Sequence, residues 1–278
     1  MVYVLAMAML AASAPVGVVW KPVANMYSAA TKQASVVSQA IYGSNVVCME
    51  EKDGWVKVRT ADDYTGWMPA TSLRRGKPYA TQGRRAQVEN LFANLYRERD
   101  VTKHQPSLTV PFETRLEVIA EPERDQGRWI QVRLVDERAA WVQRGDVRFD
   151  AERLSIEGAI ALSKRFLGMP YLWGGTSSYG YDCSGFVQML CRQRGVIIPR
   201  DAAPQARWQG VAPVQKEDLR PGDLLYFGRS VEKITHTGMY IGNGQFINAT
   251  THERPMVQID KLDDPHWTEL FVAARRLK

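Results

Sequence analysis

Tyr171-Leu-Trp173-Gly-Gly-Thr-Ser-Ser-Tyr-Gly-Tyr-Asp182-Cys183-Ser184-Gly185-Phe186 sets one cysteine between a glycine-rich aromatic loop and an apolar run. That run continues through Val187, Leu190 and Cys191, which with Phe186 form one face of a helix over residues 184–194, with Gly195 placed to cap it. A thiol at a helix start lies where unpaired backbone N–H groups and the positive end of the macrodipole meet. Both favour the thiolate, which is the nucleophilic form. Asp182 is placed to cap the same helix. The stretch therefore predicts attack on an acyl carbon by Cys183.

Around this centre the periodicity predicts helices and then strands. Ser155 opens a run with Ile156, Ile160, Leu162 and Phe166 at helical spacing, ended by Gly168 and Pro170. After Pro221-Gly222 come strand-like runs at 223–227, 236–241, 245–249 and 270–274. Helices followed by consecutive strands indicate an α+β domain with an antiparallel sheet.

A cysteine nucleophile needs a base, and the base needs an orienting partner. His236 opens the strand His-Thr-Gly-Met-Tyr-Ile-Gly, where Thr237 and Gly238 leave room beside it. The hairpin Gly242-Asn243-Gly244 allows two registers. A two-residue Asn-Gly turn pairs 242 with 245 and puts Asn248 on the face opposite His236. A three-residue loop pairs 241 with 245, and then Asn248 and His252 share the face of His236 as diagonal neighbours. Asn248 is chosen because it lies inside the strand, with His252 as its rival. An Asn carbonyl can fix a histidine tautomer. The Cys183 backbone N–H is one oxyanion donor, and the Tyr171 hydroxyl is placed as a second. Cys48 and Cys191 read as core thiols, and His104 and His266 as surface residues.

The first half carries an internal repeat. Trp55-Val-Lys-Val-Arg matches Trp129-Ile-Gln-Val-Arg, Gly66-Trp67-Met68 matches Ala140-Trp141-Val142, and Ala24-Asn25-Met26-Tyr27 matches Ala93-Asn94-Leu95-Tyr96. Short alternating runs with turn residues at Asp53-Gly54 and Gln126-Gly127 read as two small all-β barrels. Residues 74–87 are basic and contain Gly76, Pro78 and Gly83, so they read as a linker. The divisions expected are a signal segment at 1–14, a first barrel at 15–77, a linker and second barrel at 78–150, and the cysteine-bearing domain at 151–278.

Composition sets bounds on partners. The 278 residues carry a net charge of +6, which suits anionic polymers or acidic peptides. No dense basic block or nucleic-acid motif occurs. Three cysteines at irregular spacing argue against a disulfide framework, and the absence of a CxxC pair excludes the usual structural zinc patterns. Met1 to Ala14 is apolar and ends in Ala-Ser-Ala, as in an export signal, but no Lys or Arg precedes it. It is too short to span a bilayer.

Four motifs in order, Pro170-Tyr171-Leu-Trp173-Gly-Gly, Asp182-Cys183-Ser184-Gly185-Phe186, Pro221-Gly222-Asp223-Leu224 and His236-Thr-Gly-Met-Tyr-Ile-Gly, closely resemble the NlpC/P60 cysteine peptidases. They cover most of residues 155–278. The upstream barrels resemble bacterial SH3 (SH3b) modules, which often accompany cell-wall enzymes. The resemblance implies a papain-like α+β catalytic domain preceded by two SH3b barrels, with no metal or organic cofactor. It implies cleavage of peptidoglycan stem peptides between γ-D-glutamate and a diamino acid, either meso-diaminopimelate or lysine. Two modules ahead of the catalytic domain narrow the likeness to the γ-D-glutamyl-L-diamino acid endopeptidases of murein-peptide recycling. In those enzymes the first module walls off the groove, so that only peptides with a free N-terminal L-Ala fit. By that resemblance Asp201 would bind the substrate ammonium as a buried carboxylate, Tyr171, Trp173, Asp182 and Ser184 would line the pocket, and Tyr64 would be the contribution of the first module. The family often has histidine at its third catalytic position, where this chain has Asn248. Two other readings stand beside this one: a wall-anchored endopeptidase or amidase acting on intact peptidoglycan, and a non-catalytic wall-binding protein.

Overall fold

The computed structural model describes residues 16–120, 127–149 and 151–278. The signal segment expected at residues 1–14 and the boundary expected at Asp150 lie outside them. Among the described residues no helix is long and apolar enough to cross a membrane.

The repeat is a repeat of topology. The first seven strands are β1 (Val16–Val19), β2 (Val23–Tyr27), β3 (Val36–Ile41), β4 (Asn45–Lys52), β5 (Trp55–Arg59), β6 (Thr65–Pro69) and β7 (Leu73–Arg75). They pair in the order β3-β2-β6-β5-β4-β1-β7. The next seven are β8 (Arg85–Val88), β9 (Phe92–Tyr96), β10 (Leu108–Pro111), β11 (Arg115–Ala120), β12 (Trp129–Arg133), β13 (Ala139–Gln143) and β14 (Val147–Phe149). They pair as β10-β9-β13-β12-β11-β8-β14, the same order displaced by seven. The matched sequence pairs do matched work. Tyr27 meets Trp55 edge to face at 5.3 Å, and Tyr96 meets Trp129 the same way at 5.5 Å. Alternation buries Val56 and Val58 on β5 and Ile130 and Val132 on β12, all at 0% exposure. The turn between β4 and β5 has positive φ at Asp53 and Gly54, the geometry an Asp-Gly hairpin favours.

The segment read as a linker does more than tether. Tyr79 is buried, and its backbone N–H and C=O both bond the side chain of Asn45 in the first barrel. Its hydroxyl donates to the Arg133 carbonyl in the second barrel at 2.5 Å. Beside it, the Val135 N–H donates to the Tyr42 hydroxyl at 2.7 Å. Val18 and Tyr42 of the first barrel thereby join the apolar core of the second.

From residue 151 the chain builds an α+β unit. Helix α1 (Ile156–Lys164) is capped by Ser155, whose hydroxyl accepts from Gly158 N. The hairpin β15 (Thr176–Ser177) and β16 (Gly180–Tyr181) leads into α2 (Cys183–Gln193), and α3 (Ala202–Arg207) follows. Six strands complete the unit: β17 (Val211–Val214), β18 (Leu224–Gly228), β19 (Ile234–Gly242), β20 (Gln245–Thr250), β21 (Met256–Lys261) and β22 (Phe271–Leu277), with α4 (Pro265–Leu270) before the last. The sheet is antiparallel throughout, in the order β17-β22-β18-β19-β20-β21. Alternation along β18 divides its side chains between two cores. Leu224 and Tyr226 pack with Phe186, Val187 and Leu190 of α2, and Leu225 and Phe227 pack with Trp267 of α4. Ten of the eleven α2 residues are buried, so this helix is more enclosed than its apolar face predicts. Its Gln188 is tolerated inside because it donates to Asp62 of the first barrel and to the Ile198 carbonyl.

Candidate active site

The β19–β20 hairpin combines the two turn geometries open from sequence. The turn itself is the two-residue Asn243-Gly244, both with positive φ, and Gly242 pairs with Gln245. A bulge then shifts the ladder, so that Tyr240 pairs with Phe246 and Met239 with Ile247. This strand-body register is the one expected from a three-residue loop. It places Asn248 on the face of His236, with Asn248 Oδ1 2.8 Å from His236 Nε2. Asn248 is fully buried, and its Nδ2 donates to Asp260 Oδ2 on β21 at 2.8 Å. His252, the rival, stacks flat on His266 at 3.7 Å between ring centres. His266 is therefore not the isolated surface residue expected. Its ring also contacts Trp267, on which the His236 imidazole stacks at 4.9 Å.

Cys183 is the first residue of α2 and is 7% exposed. The backbone N–H groups of Ser184 and of Thr237, the neighbour of His236, point at its sulfur. Sulfur and imidazole thus share one neighbourhood. The thiolate expected from the helix start is not the resting form. Burial pushes the Cys183 thiol up to about 12, and the adjacent Asp182 carboxylate adds to the rise. The two N–H groups and Arg200 pull the other way and do not compensate. Burial also lowers His236 to about 4, against the opposing effect of its bond to Asn248. At neutral pH the pair is thiol and neutral imidazole.

The start of α2 is held from several sides. Asp182 Oδ1 accepts from Gly185 N at 2.7 Å, the expected cap, and Oδ2 accepts from Gly174 N at 3.1 Å. Arg200, 2% exposed, reaches both oxygens at 3.0 and 2.6 Å. It also donates to Ser184 Oγ at 2.9 Å and to Ser38 Oγ of the first barrel at 3.2 Å. The Asp182 carboxylate is thus occupied by the protein itself. Position 185 must be glycine, since a Cβ there would collide with the carbonyl oxygen of Gly175. Arg200 was missed in the sequence. Its signal was a lone charge closing the apolar run Val196-Ile197-Ile198-Pro199.

Asp201 occupies the cap position of α3, yet its carboxylate does not bond the helix. Instead Tyr64 of the first barrel donates to Asp201 Oδ2 at 3.2 Å, across the junction between the units. The carboxylate is exposed, not buried as the resemblance implied. Partial desolvation still raises its pKa. Among the described residues Asp201 makes no ion pair. Tyr64 is half-buried, and desolvation and the Asp201 charge raise it to about 12. Tyr171 is half-buried, raised by burial and by the nearby Cys183, and so keeps its phenolic proton. Trp173 stands 69% exposed. Cys48 and Cys191 are buried free thiols, and exposed His104 faces Glu98 at 3.3 Å, as the sequence predicts for each.

Known proteins resemble this chain in sequence and fold. Residues 168–276 match the NlpC/P60 family, and residues 26–73 match the bacterial dipeptidyl-peptidase Sh3 domain. A gamma-D-glutamyl-L-lysine dipeptidyl-peptidase of Bacillus cereus is 35% identical over 263 residues, covering 88% of this chain and 76% of its own. An enzyme of the same name from Bacillus subtilis is 32% identical over 252 residues, covering 87% and 81%. The crystal structure of an NlpC/P60 family protein from Bacillus cereus superposes with a TM-score of 0.82 at 28% identity, covering 94% of this chain and 99% of that one. With a cysteine heading a buried helix, a histidine on the adjoining sheet and a barrel of the matched type against them, the chain belongs to the NlpC/P60 family of cysteine peptidases.

Proposed function

We propose that this enzyme hydrolyses the γ-D-glutamyl–diamino acid bond of peptidoglycan stem peptides that carry a free N-terminal L-Ala. Cys183 is the nucleophile, His236 the general base and Asn248 its orienting partner. As Cys183 Sγ bonds to the γ-carbonyl carbon, its proton passes to the free nitrogen of His236. The oxyanion is met by the Cys183 backbone N–H and the Tyr171 hydroxyl. His236 then protonates the departing amine, and water hydrolyses the thioester with His236 again as base. Because Asn248 is neutral, the imidazolium that forms gains less stabilisation than beside a carboxylate. Two neutral reactants, in compensation, need no charge separation before substrate arrives.

The observation that carries the specificity is the Tyr64–Asp201 contact at 3.2 Å. A carboxylate without an ion-pair partner among the described residues, held by a hydroxyl from the neighbouring barrel, is suited to receive a substrate ammonium. Ser184, whose hydroxyl accepts from Arg200 at 2.9 Å and donates to Asp182 Oδ1 at 3.3 Å, lines the pocket beside Cys183. Trp173 and Tyr171 supply aromatic walls, and Asp182 fixes the pocket floor through its hold on α2. The relatives named for a γ-D-glutamyl-L-lysine bond support the same reading.

The test is a pair of substrates, the free tripeptide L-Ala-γ-D-Glu-diamino acid and the same peptide N-blocked by N-acetylmuramic acid. Mass spectrometry should show release of L-Ala-γ-D-Glu from the free peptide, a rate at least about 100-fold lower for the blocked one, and no release by Cys183→Ala. Equal rates on both would favour action on intact wall. Turnover by the alanine variant would remove the mechanism.

A further inference from the structure

Asn248 can orient His236 only if its amide points the correct way, and nothing in the shape of an amide decides that. Its neighbours do. Asn248 Oδ1 lies 2.8 Å from His236 Nε2, while Nδ2 lies 2.8 Å from Asp260 Oδ2 and 3.4 Å from the Gln258 carbonyl oxygen. A carboxylate and a main-chain carbonyl only accept hydrogen bonds. The end of the amide facing them must therefore be NH2. Turning it over would press the amide oxygen against a carboxylate oxygen, in a position with no exposure to water.

The geometry points to Asp260 as a positioning residue for catalysis: it locks the Asn248 amide and, through it, sets which nitrogen of His236 is basic. This rests on the assignment of Cys183, His236 and Asn248 above. The locked carbonyl can only accept, so His236 Nε2 carries the ring hydrogen. Nδ1 is then the atom with a lone pair, free to take the thiol proton. Asp260 is itself clamped, since Gln258 Nε2 donates to its Oδ1 at 2.9 Å and its Oδ2 at 3.1 Å. The pairing of Asn248 with Gln258 and of Phe246 with Asp260 brings all three side chains to one face of the sheet. The carboxylate that the orienting position lacks is thus supplied one residue further out, with a neutral amide between it and the imidazole.

Removing the nearer acceptor leaves only the Gln258 carbonyl, at 3.4 Å, to hold the NH2 end, and the amide should then be free to turn. Its NH2 would then donate to Nε2, and the ring hydrogen would move to Nδ1. Asp260→Ala should lower kcat about tenfold or more with KM little changed, since a wrong tautomer disables the base without touching the ligand. Nitrogen-15 NMR of the His236 ring should show Nε2–H in the natural enzyme and a substantial Nδ1–H population in the variant. Asp260→Asn can still present an oxygen to both Asn248 and Gln258, so it should keep the Nε2–H form and most of kcat. A folded Asp260→Ala enzyme with unaltered tautomer and turnover overturns the inference. So does an Nδ1–H ring in the natural enzyme, a result that needs no variant to fold. If folded Asn248→Ala is fully active, the reading beneath the inference fails instead.

Discussion

Neither Cys183 nor His236 carries a charge at neutral pH, and the same desolvation is responsible for both. A thiol near 12 and an imidazole near 4 are further apart than in free solution, where the ordinary values are 9.0 and 6.5. The mechanism proposed above requires a neutral imidazole, so the acid limb of kcat/KM should fall near pH 4 rather than 6.5. Alkylation of the resting enzyme by iodoacetamide should keep rising above pH 9 and show no plateau near neutrality. A plateau below pH 7 would mean a preformed thiolate and would contradict the burial argument. Stability follows the same shifts. The unfolded chain binds the His236 proton at higher pH than the folded protein does, so this contribution is intact above about 6.5 and is lost as pH falls toward 4. The helix-start rule places Cys183 where the structure has it, at the first residue of α2, but not its charge, because the rule knows nothing of how deeply the sulfur is enclosed.

At the scale of elements, the start of α2 depends on a buried ion pair. Arg200 and Asp182 meet at 2.6 Å with side chains 1% and 10% exposed. Arg200→Leu strands a carboxylate in the interior and should cost about 3–5 kcal/mol in urea unfolding. Adding Asp182→Asn keeps an oxygen for the Gly185 N–H and removes the stranded charge, so the double variant should recover much of that loss. What could be read of this region followed one-dimensional rules. The Asp182 cap, the Ser155 cap and the Gly242-Asn243-Gly244 hairpin all lie within a few residues of what they control. Arg200 and Asp260 did not declare themselves, since each acts on a residue brought near by the fold: Arg200 on Asp182 and Ser38, Asp260 on Asn248. The strand Met256–Lys261 was also unread, and with it the polar pair Gln258 and Asp260 on one of its faces.

Across the whole molecule the two barrels meet the catalytic unit in different ways. The first docks through polar contacts. Gln39 accepts from Thr176 N at 3.1 Å and from Ser177 Oγ at 3.3 Å, and Tyr64 and Ser38 reach Asp201 and Arg200. The second contributes to the catalytic core itself. Phe112 packs edge to face on Phe166 at 5.4 Å, and the neighbouring Glu113 binds Arg192 of α2 at 2.9 and 2.6 Å. Phe112→Ala should therefore destabilise the barrel and the catalytic unit together, by about 3–5 kcal/mol. Thermal melts followed by tryptophan fluorescence and by loss of peptidase activity should shift by the same amount. A fluorescence shift alone would show that the units melt separately.

The ring of Phe112 also bears on which parts of such a chain can be exchanged. A face joined by hydrogen bonds can be altered by mending a few pairs at the surface, so the face that the first barrel turns to the peptidase tolerates exchange of its residues, while Val18 and Tyr42 keep the barrel itself seated in the core of the second. A neighbour that lends a side chain to another unit's interior cannot be cut away without opening a hole in what remains, and in this chain the second barrel holds that place for the peptidase.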